Sequence, residues 1–152
     1  MPDLKMLFSE LIRFETELWN AIDARLRSEH DLQLTWFEPM QVMSKDPACR
    51  VLDIKDELSI TVGGASKLVD RIEAAGLCRR RANPEDRRSQ IIELTPAGRR
   101  LLGKATKSFE DELQARLASV VTGRALLQFG ATLTRLRAAN RPLTSHEETS
   151  SA

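Results

Sequence analysis

Apolar residues recur at three- and four-residue steps through the opening segment: Leu4, Leu7, Phe8, Leu11, Leu18, Trp19, Ile22 and Leu26, with charged residues between them. Such a stripe faces one way only on a helical backbone, so the spacing predicts one long amphipathic helix. In "LTWFE", Thr35 is followed three residues later by Glu38, the spacing of a capping box, and a second helix is expected to open there with Pro39 in its first turn or just past it. "KDPACR" interrupts the pattern. A short helix is expected around Asp53 to Leu58 and a tight turn at Ser59 to Thr61. A third stripe then follows at Ala65, Leu68, Val69 and Ile72, closed by Gly76 as a C-terminal cap.

Two short helices joined by a few residues form the pattern of a helix-turn-helix. The other side of the second helix carries Gly63, Ser66, Lys67 and Asp70 at the same helical spacing, with Arg71 beside them. Small, hydroxyl and cationic side chains suit an element that approaches phosphates and reaches base edges, although an ordinary solvated face has the same composition. "LCRRRANPEDRRSQIIELT" then reads as strand, turn, strand, with an Asn-Pro turn at Asn83 and Pro84 and with Ile92 and Leu94 on one face. A charged β-ribbon directly after a helix-turn-helix is a wing, which lies along a nucleic-acid backbone or dips an arginine into the minor groove.

The total charge of +1 over 152 residues conceals that feature. From Arg79 to Arg100 there are seven arginines against Glu85, Asp86 and Glu93, a local excess of four positive charges that leaves the rest of the chain at −3. With 41% hydrophobic residues the chain can bury one real core, in one or at most two small domains. The two cysteines, Cys49 and Cys78, make no disulfide framework and read as small core residues in a reducing compartment, with a sensor role as the alternative. No basic segment leads into an apolar run and no window approaches eighteen apolar residues, so a cytoplasmic protein without a membrane partner is expected. The only histidines are His30 and His146, and no His-Glu-x-x-His, phosphate-binding glycine loop or Gly-x-Ser-x-Gly occurs, which argues against an enzyme, a metal site or a cofactor.

"DIKDELSITVGGASKLVDRIEAAGLCRRRANPEDRRSQIIELTPAGRRLL", Asp53 to Leu102, resembles the core of the multiple antibiotic resistance regulator (MarR) family of bacterial transcription factors. The specific elements are Asp86-x-Arg88 followed by Leu94-Thr95 and Gly98, preceded by "VDRIEAAGL". The resemblance implies a dimeric winged helix-turn-helix that binds pseudo-palindromic promoter DNA and releases it when a small, often aromatic and anionic compound binds. It places Thr61, Val62, Gly63, Gly64, Ser66 and Lys67 at the start of a recognition helix in the major groove, with Ser66 and Lys67 on phosphates. Arg71 stands beside them; Arg87 and Arg88 belong to the wing, Arg88 in the minor groove with Asp86 orienting it. If both lie on a strand, residues two apart point the same way and the carboxylate can hold the guanidinium; an exposed ion pair of negligible worth is the bland alternative. One departure is Val62-Gly63-Gly64, where the family commonly has polar side chains. Two glycines remove donors and cost about 1 kcal/mol each in helix propensity, so either a backbone approaches closely there or base readout lies elsewhere.

Thr95 and Pro96 mark another helix start, and Leu102, Ala105, Phe109, Leu113, Leu117 and Val120 extend it for about five turns. A last helix carries Leu126, Phe129, Leu133 and Leu136 at seam spacing. Terminal helices of this length cannot bury their stripes on a small winged-helix core, so Leu7, Phe8, Leu11, Leu126, Phe129, Leu133 and Leu136 are expected to meet a second copy, a monomeric bundle being the alternative. In the resembling family, effectors lodge where dimerisation helices meet the winged-helix lobe; here Trp19, Phe37 and Met40 are the candidate walls for an aromatic carboxylate, with ordinary core packing as the other reading. The expected architecture is mainly α with a small β-hairpin wing. A helical dimerisation region occupies 1–31 and 98–140, a winged helix-turn-helix occupies 32–97, and a polar, aperiodic, disordered tail occupies 141–152. The expected function is a homodimeric, sequence-specific DNA-binding regulator acting as a repressor, with a protein-interaction module on the same fold as the runner-up.

Overall fold

A computed structural model describes residues 1–142. The elements in chain order are α1 (Leu4–His30), α2 (Leu34–Lys45), α3 (Val51–Leu58), α4 (Val62–Ala74), β1 (Cys78–Ala82), β2 (Gln90–Leu94), α5 (Pro96–Leu113), a π-helical turn (Gln114–Ala118) and α6 (Gly123–Ala139). This is the mainly helical, winged helix-turn-helix order expected from the pattern. The chain divides into two compact units, Met1–Glu112 and the residues from Leu113 onward. Of the tail expected at 141–152, residues 143–152 lie outside the described residues.

The core lies in the first unit. Leu26 of α1, Phe37 and Met40 of α2, Ile54 of α3, Val69 and Ile72 of α4, Ile92 of β2 and Ala105 of α5 are essentially inaccessible to water. Each comes from the apolar stripe of its own element, which is why the stripes located the elements. Phe37 also packs on Phe109, with ring centroids 4.8 Å apart and tilted by 39°.

The start of α2 departs from expectation. The helix begins at Leu34, with Gln33 as N-cap, so Thr35 and Glu38 fall inside it and form no capping box. The first-turn amide of Leu34, which has no partner within the helix, donates instead to Asp23 Oδ1 of α1 at 2.9 Å, a cap from a distant element that no local pattern encodes. Pro39 lies buried inside α2, later than the first turn. In α5 the expected stripe also ends early: Leu117 falls in the π-helical turn, and Val120 lies beyond it and is exposed.

A polar link joins α1 to α5 within the first unit. Ser108, buried, donates its hydroxyl proton to Glu29 Oε2 at 2.5 Å and sits 2.7 Å from His30 Nε2. The Ser108 bond, and after it the neighbouring Arg25, hold the Glu29 carboxyl below its ordinary range against the opposing effect of desolvation.

The corner between α4 and β1 receives the start of α5. Gly76 takes φ +76°, the left-handed cap that ends α4, and Leu77 N–H returns to the Ile72 carbonyl at 3.1 Å. Thr95 seals that corner: its hydroxyl donates to the Gly76 carbonyl at 2.6 Å and accepts from Gly98 N–H at 3.1 Å, capping α5 as expected. Gly98 is there because a Cβ on it would stand 2.0 Å from the Leu77 carbonyl oxygen.

Candidate nucleic-acid interface

Helix α4 starts from Thr61, whose hydroxyl oxygen accepts the Gly64 amide at 3.0 Å, so this side chain caps the helix as well as standing at its solvent end. Val62 is exposed, a Cβ on Gly63 would meet nothing within 4 Å, and Ser66 is half-buried. Lys67 and Arg71 are exposed and enter no ion pair among the described residues. Asp70 does not join them: it turns to the wing and takes Arg80 Nη2 at 2.6 Å.

The hairpin is antiparallel, with Arg79 opposite Glu93 and Arg80 opposite Ile92. Alternation along β1 sends Arg79 and Arg81 to one face, where both reach the Glu93 carboxylate, at 2.8 and 3.2 Å. Arg79 first, then Arg81, hold that carboxyl below its usual range. Arg80 points the other way, into α4, meeting Glu73 Oε1 at 3.0 Å as well as Asp70, while its own backbone N–H donates to Glu73 Oε2 at 3.0 Å. Arg99 donates to the Leu94 carbonyl at 2.8 Å. Four of the seven arginines behind the basic segment therefore have internal partners, and the carboxylates of Glu93, Asp70 and Glu73 offset the charge of the three on the strand.

Arg87 and Arg88, in the turn between the strands, are exposed and carry no ion pair among the described residues. The expected geometry of Asp86 needs correction. Asp86 and Arg88 lie in the turn, not on a strand, and Asp86 Oδ1 accepts the backbone N–H of Arg88 at 2.9 Å. Asn83 Oδ1 accepts the Glu85 amide at 3.0 Å, and Asn83 Nδ2 donates to Ser89 Oγ at 3.1 Å. These side-chain hydrogen bonds, two of them to backbone amides, shape the turn and leave both guanidiniums to solvent. The wing is also tied to the helix-turn-helix: Ile92 N–H donates to the Cys49 carbonyl at 2.7 Å, immediately before α3.

Two positions carry function-relevant geometry that the sequence pattern did not single out. Arg80 looked like one more wing cation, and only the register shows it bracing α4. Arg50 stands at the N-cap of α3, where a short polar residue is the common choice; that departure was its only local signal.

The candidate ligand walls separate. Phe37 and Met40 are fully buried core residues, because their stripe packs α2 inward, and Trp19 is half-buried. Cys49 and Cys78 are buried too, and burial first of all pushes their thiols up, to about 12 and about 11. Among the described residues no group of three or more His, Cys, Asp or Glu is placed to hold a metal ion, and no helix is long and apolar enough to cross a membrane.

Residues 40–90 match the model of the MarR family. An HTH-type transcriptional regulator of Bacillus subtilis, YfiV, is 24% identical over 71 residues; the match spans 47% of this chain and 44% of that protein, less than half its length. Sco3205, a MarR family transcriptional regulator from Streptomyces coelicolor solved in complex with DNA, superposes with a TM-score of 0.86 at 19% identity, over 93% of this chain and 91% of that one. CouR from Rhodococcus jostii, solved bound to p-coumaroyl-CoA, superposes with a TM-score of 0.78 at 20% identity, over 93% and 95%. Residues 40–90 are thus a MarR family domain, set in a chain whose fold is the winged helix of the MarR family regulators.

Proposed function

We propose that this chain is a DNA-binding transcriptional regulator that acts in the cytoplasm as a homodimer on pseudo-palindromic promoter DNA, as a repressor relieved by a small aromatic anion. The observation that carries the reading is the distribution of unpaired cations. Lys67 and Arg71 on α4 and Arg87 and Arg88 in the wing turn have no internal counter-ion among the described residues, whereas the arginines of the strands do. Cations left open on a recognition helix and a wing match a phosphate backbone flanking a groove. Sco3205, of the same fold, was solved with DNA.

Exposed apolar surface supports the dimer. Leu7, Phe8 and Leu11 on α1, joined by Leu4, Met6, Ile12 and Phe14, are exposed in the single chain, as are Phe129 and Leu136 on α6; Leu126 and Leu133 are half-buried. Apolar stripes of this size on two helices are too costly to leave in water and fit a two-fold partner. The effector is the least constrained part. CouR was solved with p-coumaroyl-CoA on this fold, and of the three candidate walls Trp19, half-buried, is the one that keeps accessible surface.

Anisotropy titration of the protein's own upstream DNA against a scrambled duplex of equal length tests the reading. Tight, sequence-selective binding is expected. Equal, weak affinity for both duplexes would leave a winged-helix protein-interaction module instead.

A further inference from the structure

Between the start of α3 and the wing turn lies a cleft of about 510 Å³, lined on one side by Arg50, Val51 and Leu52 and on the other by Arg87 and Arg88. No Asp or Glu lines it. The nearest acid to Arg50, Asp53, accepts the Arg50 backbone N–H at 2.8 Å and stands 3.7 Å from its Nε, so it orders the cap while the Arg50 side chain stays 44% exposed. Val51 and Leu52 open α3, and their amides have no hydrogen-bond partner among the described residues. The walls are held together: the Ile92 amide, on β2, is bonded to the Cys49 carbonyl at 2.7 Å, next to Arg50, so wing and helix start cannot drift apart independently. Three arginines line this one cleft; Asp53 offsets Arg50 in part, Arg87 and Arg88 meet no acid there, and a tetrahedral oxyanion can take donors from several directions at once.

Resting on the reading of this chain as a DNA-binding protein, we propose that this cleft seats a backbone phosphate of the bound duplex, with Arg50 as its anchor from the helix side and Arg87 and Arg88 from the wing. The duplex is favoured over a free phosphate compound because the same two wing arginines also belong to the exposed turn, so a ligand held there is continuous with the wing. Arg50 then sets where the wing lies along the backbone and contributes affinity without sequence preference.

The test is a titration of duplex across a salt series with Arg50→Gln, Arg50→Lys and Arg88→Ala, alongside thermal midpoints. Arg50→Gln is expected to lower the slope of log affinity on log salt by about 0.9 and to weaken own-promoter and scrambled duplex alike by roughly tenfold, with an unchanged midpoint. Arg50→Lys keeps the charge and should restore the slope. If Arg50→Gln retains the wild-type slope while Arg88→Ala loses one unit, Arg50 anchors no phosphate and the proposal falls, while the DNA-binding reading stands. If the wild type binds no duplex, both fall. A second arm follows the Arg50 Nε–H resonance with millimolar inorganic phosphate at fixed ionic strength. A saturable shift together with an unaltered duplex slope overturns the duplex assignment in favour of a free anion.

Discussion

At Gly98 and Gly63 the same residue type is present for opposite reasons. A Cβ on Gly98 would stand 2.0 Å from backbone, where nothing flexible can yield, so Gly98→Ala is expected to destabilise by about 3 kcal/mol or more, read by chemical denaturation. At Gly63 the space is open, so the fold does not require glycine, and Gly63→Ala should stabilise by about 0.5 kcal/mol. If a DNA backbone approaches there, the same variant binds duplex more weakly; unchanged affinity assigns base readout to other positions. The cysteines follow from burial. With Cys49 raised to about 12, native protein at neutral pH should react with a thiol reagent far more slowly than denatured protein. The sign of the linkage is set by the same shift: the unfolded chain loses these protons first, so the contribution to stability is intact below the ordinary value of 9.0 and is lost as pH rises from there toward 12. A midpoint that does not fall in alkali would contradict the burial.

Between elements, the wing does two separable jobs. Arg80, only 18% exposed, braces β1 against Asp70 and Glu73 of α4, while Arg88 stands in the turn with no ion partner among the described residues. Arg80→Ala should therefore cost about 1–2 kcal/mol of stability and weaken DNA binding with the salt slope intact, because no phosphate contact is lost. Arg88→Ala should leave the thermal midpoint alone, weaken binding by roughly 1–3 kcal/mol and reduce the slope by about one. Identical salt slopes for the two variants would merge the roles. The local pattern reported how many arginines the hairpin has, but their division depended on strand register and on which acid of α4 lies opposite, and neither is a property of the segment. For the same reason Asp86 looked like a partner for a guanidinium: a two-residue spacing has that meaning only on a strand, and here it lies in a turn closed by an Asx contact.

For the whole molecule, the exposed stripes on α1 and α6 predict a dimer. Sedimentation of the wild type should give twice the chain mass, and Phe8→Glu or Leu133→Asp should dissociate or unfold it and abolish duplex binding. A clean monomer that still binds promoter DNA tightly would sink the argument. If an aromatic anion relieves binding, salicylate should weaken the complex more than a non-aromatic carboxylate at equal ionic strength, and Trp19→Ala should blunt the difference; a tenfold effect needs about 1.4 kcal/mol of differential affinity. Equal curves would reduce the effect to screening. The helices, the hairpin and the caps at Thr95 and Gly76 were readable from sequence alone. Periodicity and capping are local, and a stripe or a left-handed glycine means the same wherever the segment lies. What only the tertiary structure decided was long-range: Asp23 capping α2, Phe37 and Met40 closed into the core, Glu93, Asp70 and Glu73 neutralising the strand arginines, and Arg50 brought to the wing. Each depends on which groups from distant segments come within a few ångströms, where charge and hydrogen bonding act, and that distance is set by packing rather than by spacing along the chain.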